Sequence, residues 1–229
     1  MIKLFITATD TDAGKTYVAQ LLTAALVKMN FNVAVFKPIS AGCERISSAA
    51  GEVLVNEDAQ LLLHQANCGQ TINEINPIAF EPAIAPHIAA NLMNTEIKLS
   101  DINLGYNNVL ARTSDIIITE GAGGWRLPLG NGKFLSEFVQ QTNQQVVLVV
   151  NMKLGCLNHA VLTYEAIRAD GLDCIGWIAN CIEPMSYLHE NIAELTTLIP
   201  APMIAQLGFE ADLNKAVSAI NLSSITELL

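Results

Sequence analysis

The segment Lys3-Leu-Phe-Ile-Thr-Ala-Thr-Asp-Thr-Asp-Ala-Gly-Lys-Thr16 joins a short apolar run to a glycine–lysine–threonine turn. The apolar run predicts a strand over Lys3–Thr7. The residues after the turn predict a helix over Lys15–Met29, because apolar side chains recur there at helical spacing. A glycine–lysine–threonine turn between a strand and a helix is typical of a phosphate-binding loop, since N–H groups of the loop and of the helix start point at an anion.

Three residues of this turn have separate roles in the phosphate-loop hypothesis. Lys15 brings a positive charge to the β- and γ-phosphates of ATP, Thr16 offers a hydroxyl to Mg²⁺, and Gly14 lets the backbone approach a phosphate closely. The spacing departs from Gly-x4-Gly-Lys-Thr, because Thr9 stands where the first glycine is expected. An ordinary helix start is the alternative interpretation.

The rest of the chain alternates short apolar runs with helical patterns. Further strands are predicted at Val33–Phe36, Asp115–Thr119, Gln145–Val150, Cys174–Ala179 and Met203–Leu207. Further helices are predicted at Asp58–Ala66, Pro86–Leu92, Ser100–Arg112, Leu135–Thr142, Asn158–Ala169 and Tyr187–Leu198. This alternation predicts an α/β fold, a doubly wound and mostly parallel sheet flanked by helices, in one domain over residues 1–229. Ligands of such sheets bind beyond the carboxyl ends of the strands.

Composition narrows the classes of function. The chain has 12 basic and 22 acidic residues, a net charge of −10, and no basic cluster, so nucleic acid is not an expected partner. The apolar runs are too short for a membrane span. Five scattered cysteines without a Cys-x-x-Cys pair predict neither disulfides nor a zinc site, and favour a reduced, cytoplasmic protein. Because the chain as a whole is negatively charged, a polyanion such as ATP needs local cations and a metal ion to bind.

Two strand ends carry further charged residues. Lys37 follows Val33–Phe36, where it could neutralise charge on a transferred phosphoryl group, or be a solvated lysine. Glu120 follows Ile116-Ile-Ile-Thr and precedes a glycine-rich turn with Gly123, an arrangement similar to a Walker-B strand that could hold Mg²⁺. The alternative for Glu120 is a capping carboxylate in a tight turn.

Two helix starts leave alternatives open. Glu57 and Asp58 both begin a helical pattern, and the pattern does not distinguish them as metal ligands. The segment Lys153-Leu-Gly-Cys-Leu-Asn-His159 could form a second anion site at a helix N-terminus, or Asn158 could be only its N-cap. Cys156 fits a packed residue better than a nucleophile, because no histidine–acid pair accompanies it.

The ordered set of short motifs resembles the dethiobiotin synthetase family over nearly the whole chain. The matching segments are Thr9-Asp-Thr-x-x-Gly-Lys-Thr16, Lys37-Pro38, Asn56-x-Asp58, Pro86-His87, Glu120-Gly-Ala-Gly-Gly-Trp125, Lys153-Leu-Gly-Cys-x-Asn-His159, Gly176-Trp-x-Ala-Asn180 and Ile199-Pro-Ala-Pro202. The resemblance implies a homodimer with a sheet of about seven strands. It also implies an ATP- and Mg²⁺-dependent ligase of biotin biosynthesis, which converts 7,8-diaminononanoate and CO₂ (or bicarbonate) to dethiobiotin, ADP and phosphate.

The resemblance also implies roles for particular residues. The residues acting on the reacting groups are Lys15, Lys37 and Thr11. The nucleotide-binding residues are Asp12, Ala13, Gly14, Lys15, Thr16, Glu120, Gly123, Asn180, Pro200, Ala201 and Pro202, the last four around adenine. The Mg²⁺ ligands are Thr16, Asp58 and Glu120, which favours Asp58 over Glu57. The substrate-binding residues are Thr11, Lys37 and Ser40, together with Gly155, Cys156, Leu157 and Asn158 of the neighbouring subunit.

Three other readings remain open. A nucleotide-switch protein resembling chromosome-partitioning ATPases shares the fold, but its Lys-Gly-Gly signature is replaced here by Thr9-Asp-Thr11. A synthetase domain of the cobyric-acid amidotransferase type is the second reading. An inactive nucleotide-binding module is the third, because Ala8 and Ala41 replace the glycine and the hydroxyl residue that the family usually has.

Overall fold

The centre of the molecule is a parallel sheet of six strands, which lie side by side in the order Val33–Phe36, Ile116–Glu120, Ile2–Ala8, Gln145–Asn151, Cys174–Cys181 and Met203–Gly208. The computed structural model describes residues 1–48, 51–208 and 213–228. The strands are β1 Ile2–Ala8, β2 Val33–Phe36, β3 Ile39–Ser40, β4 Glu44–Ser48, β5 Gly51–Val55, β6 Ile78–Ala79, β7 Ile116–Glu120, β8 Pro128–Gly130, β9 Lys133–Phe134, β10 Gln145–Asn151, β11 Cys174–Cys181 and β12 Met203–Gly208. The predicted parallel α/β fold is confirmed, with six strands in the central sheet of the described ranges where about seven were expected.

Helices cover both faces of this sheet. They are α1 Lys15–Lys28, α2 Glu57–Gln65, α3 Ile72–Ile75, α4 Pro86–Leu92, α5 Leu99–Leu110, α6 Leu135–Thr142, α7 Cys156–Ala169, α8 Leu188–Leu198, α9 Leu213–Val217 and α10 Ser223–Thr226. None of the helices within the described ranges is long and apolar enough to cross a membrane.

Successive side chains along each strand point to opposite faces of the sheet, and this produces two apolar cores, one on each face of the sheet. In β1, Leu4 and Ile6 pack into the core that contains α1 and α2, whereas Phe5 packs into the core that contains α4 to α8. Neighbouring side chains of β10 divide in the same way, with Val147 on the first side and Leu148 on the second. Both faces of these strands are therefore buried, which explains their nearly continuous apolar sequences.

The predicted strands and helices all exist, and most of their ends differ by one or two residues. The first helix ends at Lys28 rather than Met29, whose side chain is 49% exposed because it lies past the last turn. The β4–β5 hairpin was not predicted from the sequence. Ser48 ends its first strand and pairs with Gly51 at the start of the second, and positions 49 and 50 lie outside the described residues.

Candidate active site

A cavity of about 900 Å³ opens where β1, β2 and β7 end. Its polar lining residues are Thr11, Asp12, Lys15, Thr16, Lys37, Ser40, Asn56, Asp58 and Glu120. Its apolar lining residues are Ile39, Ala41, Ala83, Ile84, Ala85, Pro86, Ala122 and Leu127. The three neighbouring strands of the sheet thus bring the predicted phosphate loop, Lys37 and Glu120 to one site, as expected at the carboxyl edge of a parallel sheet.

The loop between β1 and α1 has the backbone shape of an anion site. Asp12 and Gly14 have positive φ angles of 55° and 85°, and Gly14 is the N-cap of α1. A Cβ atom on Gly14 would lie 2.1 Å from the Asn180 Nδ2 atom, so a side chain cannot be accommodated there. Glycine is therefore required both by the backbone conformation and by the close approach of Asn180.

Lys15 lies at the start of α1 with only 7% of its surface exposed. Its Nζ donates to the main-chain oxygen of Asp10 at 3.3 Å. Burial lowers the pKa of Lys15 below its ordinary value, and the carboxylate of Glu120 opposes that shift. The Lys153 ammonium lies 3.3 Å from the Asp10 carboxylate and ties the end of β10 to the same loop. An anion that enters the loop would thus contact the buried and poorly hydrated ammonium of Lys15.

A cluster of four charged and polar side chains lies beside this loop. Glu120 Oε1 accepts a hydrogen bond from Thr16 Oγ1 at 2.7 Å and another from Lys37 Nζ at 2.8 Å. Lys37 Nζ also lies 3.1 Å from Asp58 Oδ2. The predicted metal-binding trio and one lysine are therefore in direct contact. Glu57 does not line the cavity, which favours Asp58 where the sequence pattern left both possible.

The cluster suits a hard cation. The second carboxylate oxygen of Glu120 is buried and accepts no hydrogen bond from any residue within the described ranges. A hydroxyl and two carboxylates provide oxygen ligands of the kind Mg²⁺ binds, and phosphate oxygens and water would complete its coordination. The residues therefore fit Mg²⁺, with Thr16, Asp58 and Glu120 as the side chains that would hold it.

Lys37 is fixed from both its side chain and its backbone. Burial alone would lower the pKa of Lys37, but the carboxylates of Glu120 and Asp58 outweigh burial and raise that pKa, so the ammonium is charged at neutral pH. The Lys37 N–H donates to the Ile75 main-chain oxygen at 2.8 Å, and the Asn76 side chain donates to the Lys37 main-chain oxygen at 2.8 Å. These bonds hold Lys37 where β2 ends.

Asn76 was not identified from the sequence, because nothing in the pattern around it marks a functional residue. Its side-chain oxygen also accepts a hydrogen bond from Ser40 Oγ at 2.6 Å. The hydroxyl of Ser40 is thus already engaged in holding the cavity wall, and Ala41 lines the cavity with its methyl group. Asn56, which the sequence motif Asn56-x-Asp58 contains without an assigned role, caps α2 by accepting from the Ala59 N–H.

Ala8 is compatible with the loop. It is the last residue of β1, where the backbone is extended and a glycine is not required, and it is fully buried in the core beneath α1. The methyl group therefore adds packing and does not block the turn that follows.

Two predicted groups lie away from the cavity lining. Gly155 caps α7, with Cys156, Leu157 and Asn158 in its first turn. Cys156 is buried, and burial raises the pKa of its thiol, which argues against a nucleophilic role. Pro200, Ala201 and Pro202 precede β12 at the amino edge of the sheet, because Met203 pairs with Trp177, whereas Asn180 pairs with Leu207 near the carboxyl edge. The structure therefore does not bring these three residues to Asn180, and their predicted place around adenine is corrected. Residues 209–212, beyond Gly208, lie outside the described part of the chain.

The sheet order, the loop between β1 and α1, and the acid that ends the adjacent strand define the P-loop class of nucleotide-binding α/β proteins. A family model described as an AAA domain matches residues 3–217. Two solved structures share the fold at low identity. The MinC:MinD complex of Aquifex aeolicus aligns with a TM-score of 0.56 and 12% identity, over 100% of this chain and 96% of that chain. A ParA family ATPase from Chlorobium tepidum aligns with a TM-score of 0.53 and 13% identity, over 99% and 91%.

Curated relatives identify the family within this class. The ATP-dependent dethiobiotin synthetase of Alteromonas mediterranea is 44% identical over 100% of both chains. That of Pseudoalteromonas translucida is 45% identical, over 90% of this chain and 89% of its own. The chain belongs to the dethiobiotin synthetase family, and the resemblance found in the motifs is confirmed. The structural neighbours show the fold alone and do not favour a nucleotide-switch function.

Proposed function

We propose that this chain uses ATP and Mg²⁺ to convert 7,8-diaminononanoate and CO₂ to dethiobiotin, ADP and phosphate in biotin biosynthesis. The observation that carries the proposal is the Lys37–Glu120–Asp58–Thr16 cluster, which lines one cavity together with the phosphate loop in a chain of this family. The cavity holds both a phosphate-binding side and an apolar wall at Ala83–Pro86, which suits a substrate with charged ends and an aliphatic chain.

The reaction divides into three steps. One amine of the substrate adds to the carbon of CO₂ and loses a proton, which gives a carbamate. A carbamate oxygen then attacks the γ-phosphorus of ATP and displaces ADP, so that a carbamic–phosphoric anhydride forms. The second amine attacks the carbonyl carbon, loses a proton and expels phosphate, which closes the cyclic urea. Phosphoryl transfer needs positioning and charge stabilisation rather than a protein nucleophile.

The proposed roles follow from where the cations lie. Lys15 and the backbone of Asp12–Thr16 hold the phosphates, and Gly123 leaves space beside them. Lys37 faces the position between the nucleotide and the carbamate, where negative charge develops, and Thr11 contacts the diamine. Mg²⁺, held by Thr16, Asp58 and Glu120, would neutralise charge on the phosphate oxygens.

The outlying residues are assigned to the ends of the two substrates. Asn180, next to the phosphate loop, reads adenine. The first turn of α7, Gly155–Asn158, does not line the cavity of its own chain. It binds the substrate carboxylate in the cavity of a partner subunit, so the enzyme is a homodimer of one-domain subunits spanning 1–229. The five unpaired cysteines suit a reducing cytoplasm.

An assay of ADP release separates this function from its rivals. Purified protein is incubated with ATP, and 7,8-diaminononanoate, bicarbonate and Mg²⁺ are each omitted in turn. We expect ADP release only in the complete mixture, together with dethiobiotin as product. ADP release that does not depend on the diamine would favour a nucleotide-switch ATPase, and no release under any condition would favour an inactive module.

A further inference from the structure

Asn180 makes a direct contact with the phosphate loop. It lies near the end of β11, is 1% exposed, and its Nδ2 donates to the main-chain oxygen of Ala13 at 2.8 Å. The strand β10 separates β11 from β1, so this hydrogen bond spans two strand positions of the sheet. The bond therefore connects the base side of the proposed nucleotide site with the loop on the phosphate side.

The contact fixes the orientation of a peptide group. In a trans peptide, the carbonyl of Ala13 and the N–H of Gly14 point in opposite directions. Holding the Ala13 oxygen toward Asn180 therefore directs the Gly14 N–H away from Asn180, and Gly14 itself lines the cavity. Gly14 is the N-cap of α1, where N–H groups bind anions.

Packing enforces the same orientation. The Asn180 amide fills the space beside Gly14 so closely that a Cβ atom there would lie 2.1 Å from Nδ2 and 3.3 Å from the Asn180 Cγ. The loop thus rests against the asparagine side chain at the residue where its backbone is left-handed. Replacing the side chain would leave both the Ala13 oxygen and the Gly14 peptide without support.

We infer that Asn180 is a positioning residue for the phosphate loop, which holds the Ala13–Gly14 peptide in its anion-binding orientation and so strengthens binding of any nucleoside triphosphate, whatever its base. This inference rests on the proposed nucleotide site and adds a base-independent role to adenine reading. The two roles are compatible, because a carboxamide has two N–H donors and one oxygen, and the loop uses one donor.

The test compares ATP with CTP, a triphosphate that lacks the adenine groups. Dissociation constants of both, with Mg²⁺ and without diamine, are measured by titration calorimetry for the wild type, Asn180→Ala and Asn180→Asp. We expect both variants to bind both nucleotides more weakly by a shared factor of roughly tenfold, since the buried Ala13 carbonyl loses its hydrogen-bond donor. Any additional loss for ATP alone measures adenine reading. The aspartate variant preserves packing and places an acceptor against the Ala13 oxygen, so its shared loss should be at least as large.

Asn67→Ala is the matched control. Asn67 also donates a side-chain hydrogen bond to a backbone oxygen, that of Phe31 at 2.9 Å, but it does not line the cavity. Thermal unfolding of each variant is recorded in parallel. Unchanged CTP affinity in the Asn180 variants, CTP binding absent in a wild type that binds ATP, or an equal loss in Asn67→Ala would each overturn the inference. A wild type that binds neither nucleotide would overturn the proposed function as well.

Discussion

Lys37 illustrates how a buried charge is stabilised and then used. Burying an isolated ammonium in a protein interior costs several kcal/mol of free energy, yet Lys37 is only 3% exposed. The carboxylates of Glu120 and Asp58, 2.8 Å and 3.1 Å away, offset that cost. A cation held so close to the phosphate loop is prepared to stabilise negative charge without moving far, which is the requirement for electrostatic catalysis.

We expect Lys37→Gln to lower kcat by a factor on the order of 10²–10³ while ATP affinity changes little. Glutamine keeps most of the side-chain volume and a hydrogen-bond donor but removes the charge. Single-turnover formation of ADP and calorimetric titration of ATP measure the two effects separately. Lys133→Gln, which removes an exposed lysine on β9, is the control. Normal turnover in Lys37→Gln would remove Lys37 from the proposed mechanism.

The sequence identified those site residues that follow strands, because parallel strands bring their carboxyl ends to one edge. Lys15, Lys37 and Glu120 were found in this way. Asp58 could not be separated from Glu57 by pattern, since both lie in the first turn of α2 and only the fold shows which side chain reaches Lys37. Asn76 carried no signal, because its role depends on contacts with Lys37 and Ser40 that are distant in sequence.

At the scale of elements, the short helix α3 supports Lys37. Its last residue, Ile75, accepts the Lys37 N–H. The start of α3 is capped by Glu74, whose carboxylate accepts from the N–H and the hydroxyl of Thr71 and pairs with the guanidinium of Arg112. The Arg112 side chain lowers the pKa of Glu74 to about 2, with help from Thr71. A four-residue helix has no periodic pattern, so it could not be predicted from the sequence.

We expect Glu74→Gln to lower the free energy of unfolding at pH 7 by about 1 kcal/mol, since it removes a helix cap and a partly exposed ion pair. The folded-state pKa of Glu74 is about 2, against an ordinary value of 4.5. Its stabilisation is therefore present above pH 4.5 and is lost as the pH falls toward 2.

Urea unfolding between pH 7 and pH 3 measures this effect. The difference between wild type and Glu74→Gln should shrink as the pH falls. Glu194→Gln, at an exposed position on α8, is the control. A difference that stays constant with pH would show that the carboxylate of Glu74 is not the source of the stabilisation.

At the scale of the whole molecule, alternation of strands and helices was sufficient to predict a parallel sheet with helices on both faces. The strand order β2-β7-β1-β10-β11-β12 was not predicted, because it depends on which strands pair across long segments of chain. The small hairpins β4–β5 and β8–β9 were also missed, since their strands carry no long apolar run. The position of the site was nevertheless predicted correctly, because it depends only on where the strands of the central sheet end.

The proposed homodimer predicts complementation between two inactive variants. Lys37→Gln impairs the cavity, whereas Asn158→Asp impairs the first turn of α7 that a partner subunit would contribute. An aspartate there suits the helix N-terminus and should not disturb α7, but it repels the substrate carboxylate. In a heterodimer, both changes fall on one site and the other site is intact.

Equal amounts of the two variants, mixed under conditions that allow subunits to exchange, should recover about a quarter of the wild-type activity, because half of the dimers are mixed and each has one intact site. The control mixture combines Lys37→Gln with Thr16→Ala. Both changes affect the same cavity, so every site remains defective and no activity should return. A failure of the first mixture to recover activity, with subunit exchange verified by mass spectrometry, would mean that each chain binds the substrate carboxylate with its own residues.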